Sequence, residues 1–262
     1  MGLPMARCLL RDGFDILGFD VRPLSEFGHF ARHMTYDAEE FASRVDVVIS
    51  AVRDERQTYD LLFEQQGVFA GVNVPSRLVI MSTLSPRVLP RISDNLPDAT
   101  VLLDAPMSGA PNRAQSGELT FMIGGPEETY LELRPVFECL GQFIHYLGDT
   151  GSGMTCKVLN NMVAASSIVA VRKALAASET LGLDPHRLLD VMRSSSGGTW
   201  YGNHFDDISW AREGYAPENT IAILEKDVKA YLDAVQDIGD NDKDFEHSVI
   251  EALIHFIPLE KP

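Results

Sequence analysis

The chain has 262 residues, and 38 Asp and Glu against 22 Lys and Arg give a formal net charge of −16. That length holds one large domain or two ordinary ones, and 45% hydrophobic residues supply a sizeable core. The acidic balance excludes nucleic acid and an anionic membrane as expected partners, because binding a polyanion takes a basic face and no Lys/Arg run supplies one. No unbroken apolar run approaches the roughly eighteen residues of a membrane span, and Met1 to Ala6 lacks the charged start and apolar core of a signal peptide. Cys8, Cys139 and Cys156 are odd in number and lack metal-ligand spacing. No metal site is expected, and the cysteine pattern suits a reducing, cytoplasmic location.

Gly2 to Leu10 reads as the first turns of a helix, closed by Asp12-Gly13. Short β-branched apolar runs then alternate with helix-like stretches: Asp15 to Phe19, Val45 to Ser50, Leu78 to Met81 and Thr100 to Asp104. Continuous apolar strands separated by helices predict a parallel sheet covered on both faces. Phe121 to Ile123 and Phe143 to Tyr146 add two strands around a helix over Pro126 to Cys139. After Gly151-Ser152-Gly153, the run from Met154 to Leu181 holds no proline or glycine until Gly182. A helix this long and apolar nearly all round is the spine of a helical domain or a subunit interface. Pro185 to Ser194, Ile221 to Ile238 and Phe245 to Phe256 read as further helices. The expected division is an α/β domain over 1–148 and an all-α domain over 149–262.

A dinucleotide-binding unit runs from a strand through a G-x-G-x-x-G turn into a helix, with an acidic residue about 20 positions on for the ribose. Gly2 fits the third glycine, and Asp20 lies 18 positions later. The strand and the first two glycines have no counterpart in the chain. Taken alone, these two residues read better as a helix start followed by a strand that ends in Asp. Ser108-Gly109, after an apolar strand, offers either an ordinary turn or a hydroxyl and an unobstructed N–H for a carboxylate. Lys157 and Asn161, four apart on the long helix, point to one side and can converge on one small molecule. A lysine on an apolar helix is costly to bury charged, which suits it to acid/base work, although snorkelling to solvent is the commoner arrangement. Asn161 serves equally as a structural amide. His29 and His33 lack the glutamate of a zinc-hydrolase motif and read as a solvated helix face. Cys156 points away from Lys157 around the helix and reads as packing.

Together, Met1-Gly2 through Met5-Ala6, Ser82-Thr83-Leu84-Ser85-Pro86, Asp104 to Gly109, Gly117 to Gly125, Gly151 to Asn161 and Lys226-Asp227 carry a likeness in the right order over nearly the whole chain. In these motifs the sequence resembles the β-hydroxyacid dehydrogenases, the group of 3-hydroxyisobutyrate dehydrogenase and tartronate semialdehyde reductase. The resemblance implies a Rossmann-type parallel-sheet domain followed by an all-α domain on a long central helix. It implies Lys157 as the catalytic lysine, with Asn161, Ser108 and Gly109 holding a small hydroxy acid. It further implies Gly2 and Asp20 at the cofactor, Val52 along its cleft, Thr83 by the nicotinamide and Lys226 closing over it. Each has a structural alternative: Thr83 as a turn hydroxyl, Val52 as core, Lys226 as a surface partner of Asp227 or Glu225. Hydride passes between the hydroxyl-bearing carbon and the nicotinamide while the lysine handles the proton. Asp20 favours NAD over NADP by repelling a 2′-phosphate, and Arg22 leaves NADP open. A homodimer or homotetramer is the expected assembly.

The chain departs from the family pattern in several places. The first strand and phosphate turn are expected to be lacking, which leaves two neighbouring sheet edges unpaired and exposed. Ala110 replaces a second glycine in the substrate loop, Met107 is a milder change, and Arg53 stands where many relatives carry proline. Between the Lys226 to Asp237 helix and Asp242-Lys243-Asp244-Phe245, only Ile238 to Asn241 remain where relatives place another helix. Two other readings therefore stand beside the dehydrogenase: a catalytically impaired member serving as a binding or assembly subunit, and a related carbonyl or imine reductase.

Overall fold

A computed structural model describes residues 1–238 and 243–259, in two compact units, Met1–Lys157 and Val158–Pro262. The first opens with α1 (Gly2–Arg11), which buries Met5, Cys8 and Leu9 along one side. Next come β1 (Gly18–Phe19), β2 (Met34–Thr35), α2 (Ala38–Arg44), β3 (Val47–Ser50) and α3 (Glu55–Leu62). These are followed by β4 (Arg77–Ile80), α4 (Val88–Asn95), β5 (Val101–Asp104) and β6 (Met107–Ser108). The unit continues through α5 (Pro111–Ser116), β7 (Leu119–Ile123), α6 (Glu127–Leu140) and β8 (Gly141–Tyr146). Helix starts follow local chemistry: Asp37 accepts the N–H groups of Glu39 and Glu40 at α2, and Asp54 that of Gln57 at α3.

The predicted parallel sheet is present as β3-β4-β5, with Val47 opposite Arg77 and Arg77 opposite Val101. Leu78, Val79 and Ile80 are all buried, so both faces of the central strand are covered, as a continuous apolar run requires. A second sheet, β6-β7-β8, pairs β7 antiparallel with β6 and parallel with β8.

Among the described residues β1 pairs only with β2, and β3 only with β4. Between β1 and β3 lies a cavity of about 530 Å³, lined by Phe19 and Ile16 on one side, Val47 and Ile49 on the other, and Leu3 and Met5 of α1. The two edges expected to lack a partner strand are thus found, but they are not bare. Val47 and Ile49 are half-buried, packed against the cluster that contains Met5, Leu9 and Phe137. The strand expected from Asp15 shrinks to Gly18–Phe19, because Asp15 to Leu17 face the cavity with no ladder to join. A second correction concerns Leu24–His33, which is 3₁₀ and broken at Gly28 (φ 54°). His29 and His33 therefore do not share an α-helical face.

The second unit is helical. Helix α7 (Ser152–Thr180) begins in the first unit and continues into the second, followed by α8 (Pro185–Arg193), α9 (Trp200–Asn203), α10 (Thr220–Ala234) and α11 (Asp244–Ile254). By length and hydropathy α7 passes for a membrane span, yet half of its most apolar window is buried within the protein. Met162, Ala165, Ile168, Val171 and Leu175 form its core face, against Tyr201, Phe205, Ile221, Val228 and Leu253. It is not apolar all round: Lys157, Asn161, Arg172 and Ser178 are buried on it, whereas Leu159 and Val163 are exposed. Arg172 donates to the carbonyls of Ala211 and Glu213 at 2.9 Å and of Ile257 at 2.6 Å, and lies over the Phe256 ring. The expected correspondence at Asp242 and the stretch to Asn241 fall outside the described residues; Lys243 precedes α11.

Candidate active site

Strand β5 ends on Asp104, which is wholly buried. Its carboxylate accepts the N–H of Gly151 through Oδ1 and of Met154 through Oδ2, each at 2.6 Å. Burial pushes the carboxyl up, while the N–H groups of Gly151 and Met154 pull against that rise. This side chain caps the start of α7 from some fifty residues away and sets a negative charge at the positive end of the helix. The approach is close: a Cβ on Gly153 would collide with the Met122 carbonyl and lie 2.9 Å from the Asp104 carboxylate. The glycines of the Gly151 motif thus let the helix seat on its acidic cap.

One turn on, Lys157 is only 6% exposed. Ser108, on β6, is half-buried and Gly109 is exposed. Gly109 has φ 141°, and a Cβ there would lie 2.6 Å from Leu119 Cδ2, so no other residue keeps this turn. Asn161, a further turn along α7, is buried, and its Nδ2 donates to Asp227 Oδ2 at 2.5 Å. Asn160 donates to Asn161 Oδ1 at 3.2 Å, and the Lys226 ammonium pairs with Asp227 Oδ1 at 2.6 Å. Glu225 is occupied by Lys229 and Tyr215, so of the two acidic partners considered for Lys226 it is Asp227 that takes it.

At the carboxyl ends of the parallel strands lie the positions a dinucleotide needs. Asp20 follows β1, and Arg22 grips it twice, Nε to Oδ1 at 3.1 Å and Nη2 to Oδ2 at 2.9 Å, with its own N–H at 3.0 Å. Burial alone would raise Asp20; the Arg22 bonds and charge override it and hold the carboxyl below the usual range. The Met1 amine is pushed down by burial and by the Arg22 charge, against the pull of Asp20. Val52, after β3, is half-buried and its carbonyl accepts the Ser82 hydroxyl at 2.6 Å, tying it to the loop of Thr83 after β4. Gly2, exposed, opens α1. Asp20, Val52 and Thr83, together with a free helix start at Gly2, suit a dinucleotide. Among the described residues no group of three His, Cys, Asp or Glu is arranged around a metal position.

Residues 1–148 match the family described as the NAD binding domain of 6-phosphogluconate dehydrogenase, and residues 151–241 that described as NAD-binding of NADP-dependent 3-hydroxyisobutyrate dehydrogenase. The 3-hydroxyisobutyrate dehydrogenase of Pseudomonas aeruginosa is 32% identical over 87% of this chain and 80% of its own length. The chain belongs to the 3-hydroxyisobutyrate dehydrogenase family. L-threonate dehydrogenase of Cupriavidus necator is 34% identical over 90% of this chain and 80% of its own. The mouse mitochondrial 3-hydroxyisobutyrate dehydrogenase is 29% identical, and the match spans 66% of its length. Among solved structures, the Mycobacterium tuberculosis 3-hydroxyisobutyrate dehydrogenase with L-serine superposes with a TM-score of 0.77 at 28% identity, covering 96% of this chain and 88% of its own.

Family membership gives these positions their frame. Asn161, Asp227 and Lys226 are brought into one hydrogen-bonded group. Lys157, Ser108, Gly109, Gly2, Asp20, Val52 and Thr83 all fall in the first unit. Sequence reasoning gave no role to Asp104, and gave Asp227 only that of a surface partner for Lys226, whereas it is buried. Asp104 stands at the head of a quoted motif and Asp227 beside Lys226, but the backbone and amide partners that define them lie 50 and 66 residues away.

Proposed function

We propose that the protein is an NAD-dependent dehydrogenase of small β-hydroxy acids with Lys157 as general acid/base. The burial of Lys157 one turn beyond the Asp104-capped start of α7 carries this reading. A nicotinamide dinucleotide, when bound, would supply the hydride acceptor. As hydride leaves the substrate carbon, the Lys157 amine takes the hydroxyl proton at Nζ; in reduction its ammonium returns that proton to the carbonyl oxygen. The Ser108 hydroxyl and Gly109 N–H donate to the substrate carboxylate. Asn161, its amide fixed by Asp227, orients the hydroxyl end. Asp20 binds the adenosine ribose hydroxyls, and its grip on Arg22 withholds that cation from a 2′-phosphate, which favours NAD.

Substrates named for the Pseudomonas and Cupriavidus relatives are both hydroxy acids, which supports the class. Imine reductases resemble this chain at 16–18% identity, a likeness of fold alone. The cavity between β1 and β3 favours a second reading, in which these 262 residues bind cofactor weakly and act as an assembly subunit. Exposed Leu159 and Val163 on α7 support a homo-oligomer, and the cysteine pattern supports a cytoplasmic location.

The test follows NADH absorbance across a panel of β-hydroxy acids and their semialdehydes, with NAD and NADP in parallel. Turnover of one or more hydroxy acids, abolished in Lys157→Ala, supports the dehydrogenase. Absence of turnover in a protein shown by calorimetry to bind NAD would overturn it.

A further inference from the structure

Cys8 and Cys139 are 131 residues apart in sequence, and their sulfurs stand 3.9 Å apart. Cys8 is buried on α1; Cys139 lies in the last turn of α6 and is partly open to solvent; both are free thiols. A disulfide needs about 2.05 Å between sulfurs, so closure asks for a movement of roughly 2 Å. The Cys8 thiol already donates toward the Cys139 carbonyl at 3.4 Å.

Two charged side chains frame the pair. Arg11 Nη2 donates to Cys8 Sγ at 3.0 Å, and the Cys139 thiol donates to Asp12 Oδ2 at 3.3 Å, while Arg11 and Asp12 pair with each other at 3.1 Å. The cation thus stands beside the sulfur that must attack second, and the carboxylate holds the proton of the sulfur that meets solvent first.

We propose that Cys8 and Cys139 form a reversible disulfide site, closed by a small-molecule disulfide such as oxidised glutathione. Cys139, as thiolate, attacks one glutathione sulfur; a bond forms between them and the other glutathione departs as thiolate. Cys8 then attacks Cys139 Sγ, the protein disulfide forms and the second glutathione leaves. The two thiols have lost two protons and two electrons, and oxidised glutathione has become two reduced molecules. Closure staples α1 to the end of α6. Burial and the Asp12 carboxylate push the Cys139 thiol up to about 12, so little Cys139 thiolate is present to begin the exchange and closure is slow.

The full chain is incubated with oxidised glutathione, alkylated and mapped by peptide mass spectrometry. The expected result is one Cys8–Cys139 linked peptide, free thiols falling from three to one, and recovery with dithiothreitol. Cys156→Ser should keep the linked peptide. Cys8→Ser should instead trap glutathione on Cys139, and Asp12→Asn should close several-fold faster. The proposal is overturned if the folded wild-type chain keeps all three thiols, or if glutathione stays on Cys139 while Cys8 remains free.

Discussion

The Asn161 side chain donates to the Asp227 carboxylate at 2.5 Å, across 66 residues of sequence. The same carboxylate takes the Lys226 ammonium, so one buried anion holds both a candidate substrate amide and a candidate cofactor lysine. Asp227→Ala takes the acceptor from the buried Asn161 amide, and a cost of about 1–3 kcal/mol in stability is expected. The reaction should suffer further, with KM for the hydroxy acid rising about tenfold as Asn161 loses its orientation. Urea unfolding and initial rates check the two effects separately; an unchanged KM would place Asn161 outside substrate binding.

Lys157→Ala is expected to lower kcat by about 10²–10⁴, the range for removal of a general acid/base. The circular dichroism spectrum should stay near that of the parent, because the Asp104 cap and the core face of α7 are made by other residues. A near-normal kcat would exclude Lys157 as the essential group.

Asp20→Asn frees Arg22 from its bidentate hold. The ratio of kcat/KM for NAD to that for NADP is expected to fall about tenfold or more, read from steady-state rates with both cofactors. The same pair has a pH signature. Because the folded Asp20 carboxyl lies below its unfolded value, its contribution is fully present above about pH 3.9 and is lost as pH falls through the folded value. The stability gap between parent and Asp20→Asn should therefore close on acidification below about pH 4. Partial exposure of both partners keeps that gap small.

Arg172 satisfies three main-chain carbonyls from two separate segments. Arg172→Met preserves length but takes the guanidinium donor from the Glu213 and Ile257 carbonyls, while the Ala211 carbonyl keeps the Tyr201 hydroxyl, and a loss on the order of 3 kcal/mol is expected. A fall in unfolding midpoint of roughly 6–12 °C follows for a domain-sized protein. Calorimetry showing a shift under a degree would mean that water replaces the guanidinium.

A chain extended ahead of Met1 by a five-residue apolar strand and a glycine-rich turn should fill the cavity between β1 and β3 and pair both edges. Its midpoint should rise, and calorimetry should show NAD bound at least tenfold more tightly than by the 262 residues alone, since the turn adds N–H donors for the pyrophosphate. Equal affinity in the two proteins would show that the cavity does not take a strand.

Local signals carried the element pattern. Apolar runs marked β3, β4 and β5, the absence of glycine and proline between Met154 and Leu181 marked α7, and a spacing of four placed Lys157 and Asn161 on one side of it. These properties are written in neighbouring residues, so periodicity and chain breakers suffice to read them. Periodicity reports that a face is buried and is silent about what buries it. The Asp104 cap on α7, the Asp227 hold on Asn161 and the Arg172 anchor each join groups dozens of residues apart. The gap between β1 and β3 likewise depends on strand order, which local pattern does not encode. The sequence by itself thus determined the family, the fold class and which side chains are candidates for the chemistry. Only the tertiary structure decided what holds those side chains in place, because buried polar groups must find partners and the folded chain alone brings those partners near.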